Sequence, residues 1–111
     1  MDTNKLTEDL SFLGKSPDVK KMIHFGSSYF KSKDYTDIDI AIFLNKNNNS
    51  DSVKSLISNK IEVTKIDNYE CYDRKSRPFC KSKYHFVIVP SDYDRDASII
   101  KSIEKGRSLS F

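Results

Sequence analysis

The sequence predicts an α/β (α+β) domain, a mixed β-sheet with flanking helices packed chiefly on one face. Two apolar runs, Asp37 to Leu44 and Lys83 to Val89, are short, rich in β-branched residues, and read as buried strands. Stretches with apolar residues at helical spacing alternate with them along the chain. The 111 residues, 37% hydrophobic and 32% charged, suit one polar folded domain, 1–111, rather than a disordered chain.

Leu6, Leu10 and Leu13 recur at helical spacing, so the first helix is expected over Lys5 to Leu13, capped by Thr3 or Asn4 and closed by Gly14. Ser16-Pro17-Asp18 is a turn. The first strand follows over Lys20 to Phe25 and ends at Gly26. His24 lies in it as a half-buried packing residue, on the face opposite Ile23 and Phe25. A short helix should begin at Ser27 and run to Ser32. After the Asp37 to Leu44 strand comes an asparagine-rich loop, 45–49. Ser50 or Asp51 then caps a helix to about Lys60, with Val53, Leu56 and Ile57 on its apolar face. Ile61 to Ile66 alternates as a strand, and Asp67 to Lys83 is the least regular part. The charged run at 73–77 is a solvated loop at the tip of a hairpin. Pro90 closes the strand that begins at Lys83. The last helix is expected over Asp96 to Lys105, with Ile99, Ile100 and Ile103 inward and Gly106 as its C′ residue, followed by a short alternating tail. Ser91 to Asp96 has the look of a calcium loop, but Ala97 and Ile103 stand where such a loop needs glycine and glutamate, so these acids belong to the entry of that helix.

The chemistry concentrates between Ile23 and Leu44. Gly26-Ser27 ends an apolar run, nine polar residues follow, and Asp37-Ile38-Asp39 then opens a strand. Aspartates at i and i+2 of a strand share a face, roughly 7 Å apart. Desolvating two like charges costs several kcal/mol, and a hard divalent cation between them removes that penalty. A Gly-Ser turn into a helix offers N–H groups and a hydroxyl to phosphate.

This Gly-Ser, nine-residue, Asp-Ile-Asp pattern resembles the minimal branch of the DNA polymerase β-type nucleotidyltransferase superfamily. The resemblance covers most of the chain, with Gly26, Ser27, Asp37 and Asp39 its diagnostic residues. It implies a nucleotidyltransferase fold. Gly26, Ser27, Ser28 and Lys31 would hold the phosphates of a nucleoside triphosphate. Asp37 and Asp39 would bind magnesium (or manganese), and a third acid on a neighbouring strand would complete the site. Many relatives have Ala-Arg-Gly after the serine, where this chain has Tyr29, Phe30 and Lys31. Lys31 or Lys33 could replace the arginine, and Tyr29 or Phe30 could pack inward or stack on a base. Glu62, in Ile61-Glu62-Val63, is the favoured third acid, and His85, in Tyr84-His85-Phe86, competes for that position. An imidazole there would be a poor magnesium ligand and would weaken or abolish catalysis.

The implied reaction is transfer of a nucleoside monophosphate, AMP from ATP first, to a hydroxyl on a protein, RNA or small molecule. Two metal ions about 3.5–4 Å apart would clamp the attacking and leaving oxygens. The alternative is an inactive relative, an antitoxin-like or regulatory module that binds nucleotide or a partner protein. With no separate acceptor-binding domain in the chain, the acceptor would be held by loops, a homodimer mate or a partner chain. If Asp37 and Asp39 bind magnesium with a nucleoside triphosphate, Asp39→Asn should abolish metal-dependent nucleotide binding yet leave the melting temperature equal or higher by relieving repulsion from Asp37, whereas a large loss of stability would mean that the pair is structural.

Other classes are excluded by composition. The net charge of +3 is mild, and fifteen of nineteen basic residues are lysines with no interleaved stacking motif, so nucleic-acid binding is not indicated. No apolar run approaches the ~20 residues of a membrane span. The polar, acidic start is unlike a signal peptide, so cytoplasm is the expected compartment. Cys71 and Cys80 are expected as free thiols, and with His85 they match no zinc spacing.

Overall fold

A computed structural model describes residues 3–30, 38–46, 50–61, 63–69 and 84–111, with the backbone alone at Thr3, Ser27, Ser28, Val63 and Thr64. In chain order the elements are α1 (Thr3–Asp9), α2 (Ser11–Gly14), β1 (Val19–Phe25), α3 (Ser27–Phe30), β2 (Ile38–Leu44), α4 (Ser50–Lys60), β3 (Val63–Asn68), β4 (Tyr84–Val89), α5 (Ser98–Glu104) and β5 (Arg107–Ser108). The strands form one five-stranded mixed sheet in the order β3-β4-β2-β1-β5. β3, β4 and β2 run parallel, and β1 pairs antiparallel with both β2 and β5.

β2 and β4 are buried along their whole length, which explains why both read as continuous apolar runs rather than as alternating ones. Leu6, Leu10 and Leu13, with Val53 and Ile57 of α4, pack on Met22, Ile40, Ile42, Phe86 and Ile88. On the other face, Ile100 and Ile103 of α5 pack on Ile23, Phe25, Ala41, Phe43 and Val87. Each such side chain stabilises the fold by about 1.5–3 kcal/mol. Helices therefore cover both faces: α1, α2 and α4 on one, α5 on the other. None of the described helices is long and apolar enough to cross a membrane.

Several boundaries differ from the sequence expectation. The first helix is divided at Leu10, whose φ of −104° and ψ of 7° leave helical geometry, yet Leu6, Leu10 and Leu13 all face the core. β3 lies two residues later than expected, because Ile61 N–H still donates to Ile57 O (3.1 Å) and carries helical bonding through the expected strand start. The shift brings Asp67 into the strand. The alternating tail becomes β5, where Ile23 pairs with Ser108 and His24 with Arg107. The expected solvated loop at 73–77 lies outside the described residues.

Gly106 closes α5 as expected, its N–H donating to Ile103 O at 2.9 Å. The need for glycine there is spatial. A Cβ at this position would overlap the carbonyl oxygen of His24 and press on Phe25 Cβ. Gly106→Ala is expected to lower stability by about 2 kcal/mol, within the range of overpacking costs. Urea unfolding measures this, and an unchanged midpoint would show that the turn yields without strain.

Candidate functional site

Strand alternation places Asp39, Ala41 and Phe43 on the α5 face of β2. Asp39 is a charged residue at 0% exposure in a central strand. On its β1 side its register partner is Phe25, and the chain then turns through Gly26 at φ 78°. A Cβ at Gly26 would overlap Asp39 Oδ2, so the carboxylate lies directly against the Gly26 backbone. The left-handed φ and this close approach both demand glycine. The Gly26 carbonyl also starts α3, accepting from the N–H groups of Tyr29 (3.1 Å) and Phe30 (3.2 Å).

On its β4 side Asp39 is in register with His85. His85 Nδ1 is 3.4 Å from Asp39 Oδ1, and both side chains are at 0% exposure. His85 Nε2 lies 2.9 Å from Asp67 Oδ2 on β3, and Lys65 Nζ is 3.7 Å from that same oxygen. The four groups form a row from the sheet centre to its edge, with side-chain exposure rising from 0% at Asp39 and His85 to 12% at Asp67 and 38% at Lys65. The Nε2 contact with Asp67 has hydrogen-bond geometry, whereas the Nδ1 approach to Asp39 is a close polar contact. The row thus sets the imidazole between two carboxylates, with the Lys65 ammonium at its exposed end.

The structure thus brings together Gly26, Asp39 and His85 of the residues singled out from the sequence, and adds Asp67. Ser27 and Ser28 stand in α3, their side chains not described. Asp37, Lys31 and Glu62 lie outside the described residues, as do Cys71 and Cys80. Asp67 was missed because it was placed at the start of the irregular segment. The signal lay in Lys65, Asp67 and Tyr69, which continue the strand period by steps of two.

Of the three carboxylates expected to hold magnesium, only Asp39 is among the described residues. Among the described residues no group of three or more His, Cys, Asp or Glu is arranged to hold a metal. The side chain beside Asp39 is an imidazole where magnesium prefers oxygen.

His24 is more buried than expected, at 4% exposure, and lies on the opposite face from Asp39, where its ring meets the Tyr29 ring edge-on at 5.6 Å. Burial lowers its pKa to about 4, against the opposing attraction of the Asp39 charge. Compared with known proteins, the chain matches no family model, no curated sequence and no solved structure.

Two outcomes follow from this geometry. Asp39→Asn is expected to destabilise the protein by about 2 kcal/mol, because it leaves buried His85 with one of its two carboxylate neighbours. That reverses the expectation drawn from repulsion between two aspartates, and an unchanged or higher melting temperature would contradict it. His24 is neutral when folded and protonates on unfolding below its ordinary pKa of 6.5. Its stabilising effect is therefore complete above that pH and declines as pH falls from 6.5 towards about 4. Urea midpoints across this window should rise with pH, and His24→Phe should reduce the slope by up to about 1.4 kcal/mol per pH unit.

Proposed function

We propose that this chain is a nucleotidyltransferase-like domain that binds nucleotide at the Gly26 turn and transfers it weakly or not at all. The observation that carries this reading is the register of Asp39 with His85 and the 3.4 Å contact between their side chains. On this reading His85, in register with Asp39, takes the neighbouring-strand position that the resemblance assigns to a third carboxylate, where an imidazole is a poor magnesium ligand. Asp39 Oδ1 faces that ring, and Oδ2 lies against Gly26. Gly26, with its left-handed backbone at the entry to α3, supports a phosphate-receiving turn of the kind implied by the Gly-Ser motif.

The runner-up is an active enzyme transferring AMP from ATP to a hydroxyl. It is favoured by the survival of Gly26 and Asp39 in direct contact, and it requires carboxylates from Asp37 and Glu62. The two readings part on turnover. Thermal-shift titration with ATP, GTP, CTP and UTP, with and without magnesium, reads binding. Transfer of labelled nucleotide to lysate protein and RNA reads catalysis. The expected result is nucleotide-dependent stabilisation that is largely indifferent to magnesium, with no labelled product. Labelled product that disappears in Glu62→Gln would establish the enzyme, and no response to any nucleotide would remove both readings. His85→Asp, which places a second carboxylate in register with Asp39, is expected to make the stabilisation magnesium-dependent.

A further inference from the structure

The end of the sheet away from Gly26 and Asp39 holds a cavity of about 160 Å³. It lies where β2 and β4 finish and β1 begins, and its lining includes Lys20, Lys21, Phe43, Asn45, Ser91 and Tyr93. The carboxyl ends of parallel strands are where open α/β sheets bind their ligands.

The two lysines are consecutive, and in a regular strand their side chains would point to opposite faces. β1 departs from regularity at this point. Val19 pairs with Leu44 and Lys21 with Phe43, so Lys20 is an extra residue on β1 with no counterpart on β2. Such a bulge re-aims side chains, and here both lysines line one cavity. Lys21 Nζ stands 4.6 Å from the centroid of the Phe43 ring, which steadies the ammonium beside the opening. The Phe43 ring in turn meets Tyr93 edge-on, with centroids 5.4 Å apart. The cavity therefore combines two lysines with the partly exposed Tyr93 ring, in a volume below the ~300 Å³ at which pockets for drug-sized ligands begin.

We propose that this cavity is a binding site for a small ring-bearing oxyanion, whose charged group meets Lys20 and Lys21 and whose ring rests against the half-buried Tyr93. The site is separate from the Gly26 turn and does not depend on the function proposed for it.

Titration of the whole, isotope-labelled chain with phenyl phosphate, benzoate and inorganic phosphate at constant ionic strength tests this by amide NMR. Saturable shifts are expected at Lys20, Lys21, Asn45, Ser91 and Tyr93 with phenyl phosphate or benzoate, and whichever binds identifies the oxyanion. The ring should improve affinity over inorganic phosphate by about fivefold or more. The double variant Lys20→Gln/Lys21→Gln should lose at least about tenfold in affinity. Both lysine side chains are exposed, so its urea midpoint should stay unchanged. Shifts that grow linearly without saturating, equal affinity in the double variant, or saturable shifts centred on Gly26 would each overturn the site. Equal affinity for phosphate and phenyl phosphate would overturn the role of Tyr93.

Discussion

A carboxylate in the central strand of a sheet covered on both faces has to be met by an opposite charge or a strong donor. Asp39 imposes that requirement here. Parallel pairing of β2 with β4 answers it, because the register that seats Ile40 beside Phe86 and Ile42 beside Ile88 also brings His85 to Asp39. A shift of one residue would turn these apolar side chains to the wrong face and separate the polar pair. Hydrophobic and electrostatic terms therefore select the same register. Asp67 and Lys65 extend the arrangement to β3, so the edge strand is tied to the centre by charge as well as by backbone hydrogen bonds.

The same register divides the sheet into two chemically distinct ends. At the amino end of β2, polar groups are buried and paired, and backbone and carboxylate meet at a glycine. At its carboxyl end, cationic side chains remain exposed around aromatic rings. α5 packs between these regions through Ile100 and Ile103, which join the apolar layer of Ala41 and Val87. That layer separates the row of Asp39, His85 and Asp67 from the lysine cavity along one face of the sheet.

Most of the architecture was legible from period and composition. The Ile38 to Leu44 and Tyr84 to Val89 strands, the helix at 50–60 and the inward residues of α5 follow from apolar spacing, which is a local property. The division of the first helix at Leu10 was not legible, because its leucines keep helical spacing across the break. Nor was β5, since two residues carry too little pattern and owe their strand geometry to β1. For the candidate site, the sequence pointed to Gly26, Asp39 and His85. It could not tell which residue stood beside Asp39, because that depends on a pairing between segments forty-six positions apart. Asp67 depended on a strand boundary, and boundaries are set by the competition between the α4 hydrogen bonds and the sheet.

The pairing of β5 with β1 also has a bearing on solubility. Without Arg107 and Ser108, β1 would be an outer strand offering unpaired N–H and carbonyl groups beside Ile23, a template for another chain to add to. The short strand closes part of that row, and Leu109 N–H donates to Met22 O (3.0 Å) while its side chain is buried. The outer border of the sheet then becomes a two-residue strand whose side chains, one of them a charged arginine, are exposed. A strand so brief and charged is a poor surface for further β-addition, so the 107–109 segment guards the sheet against edge-to-edge aggregation.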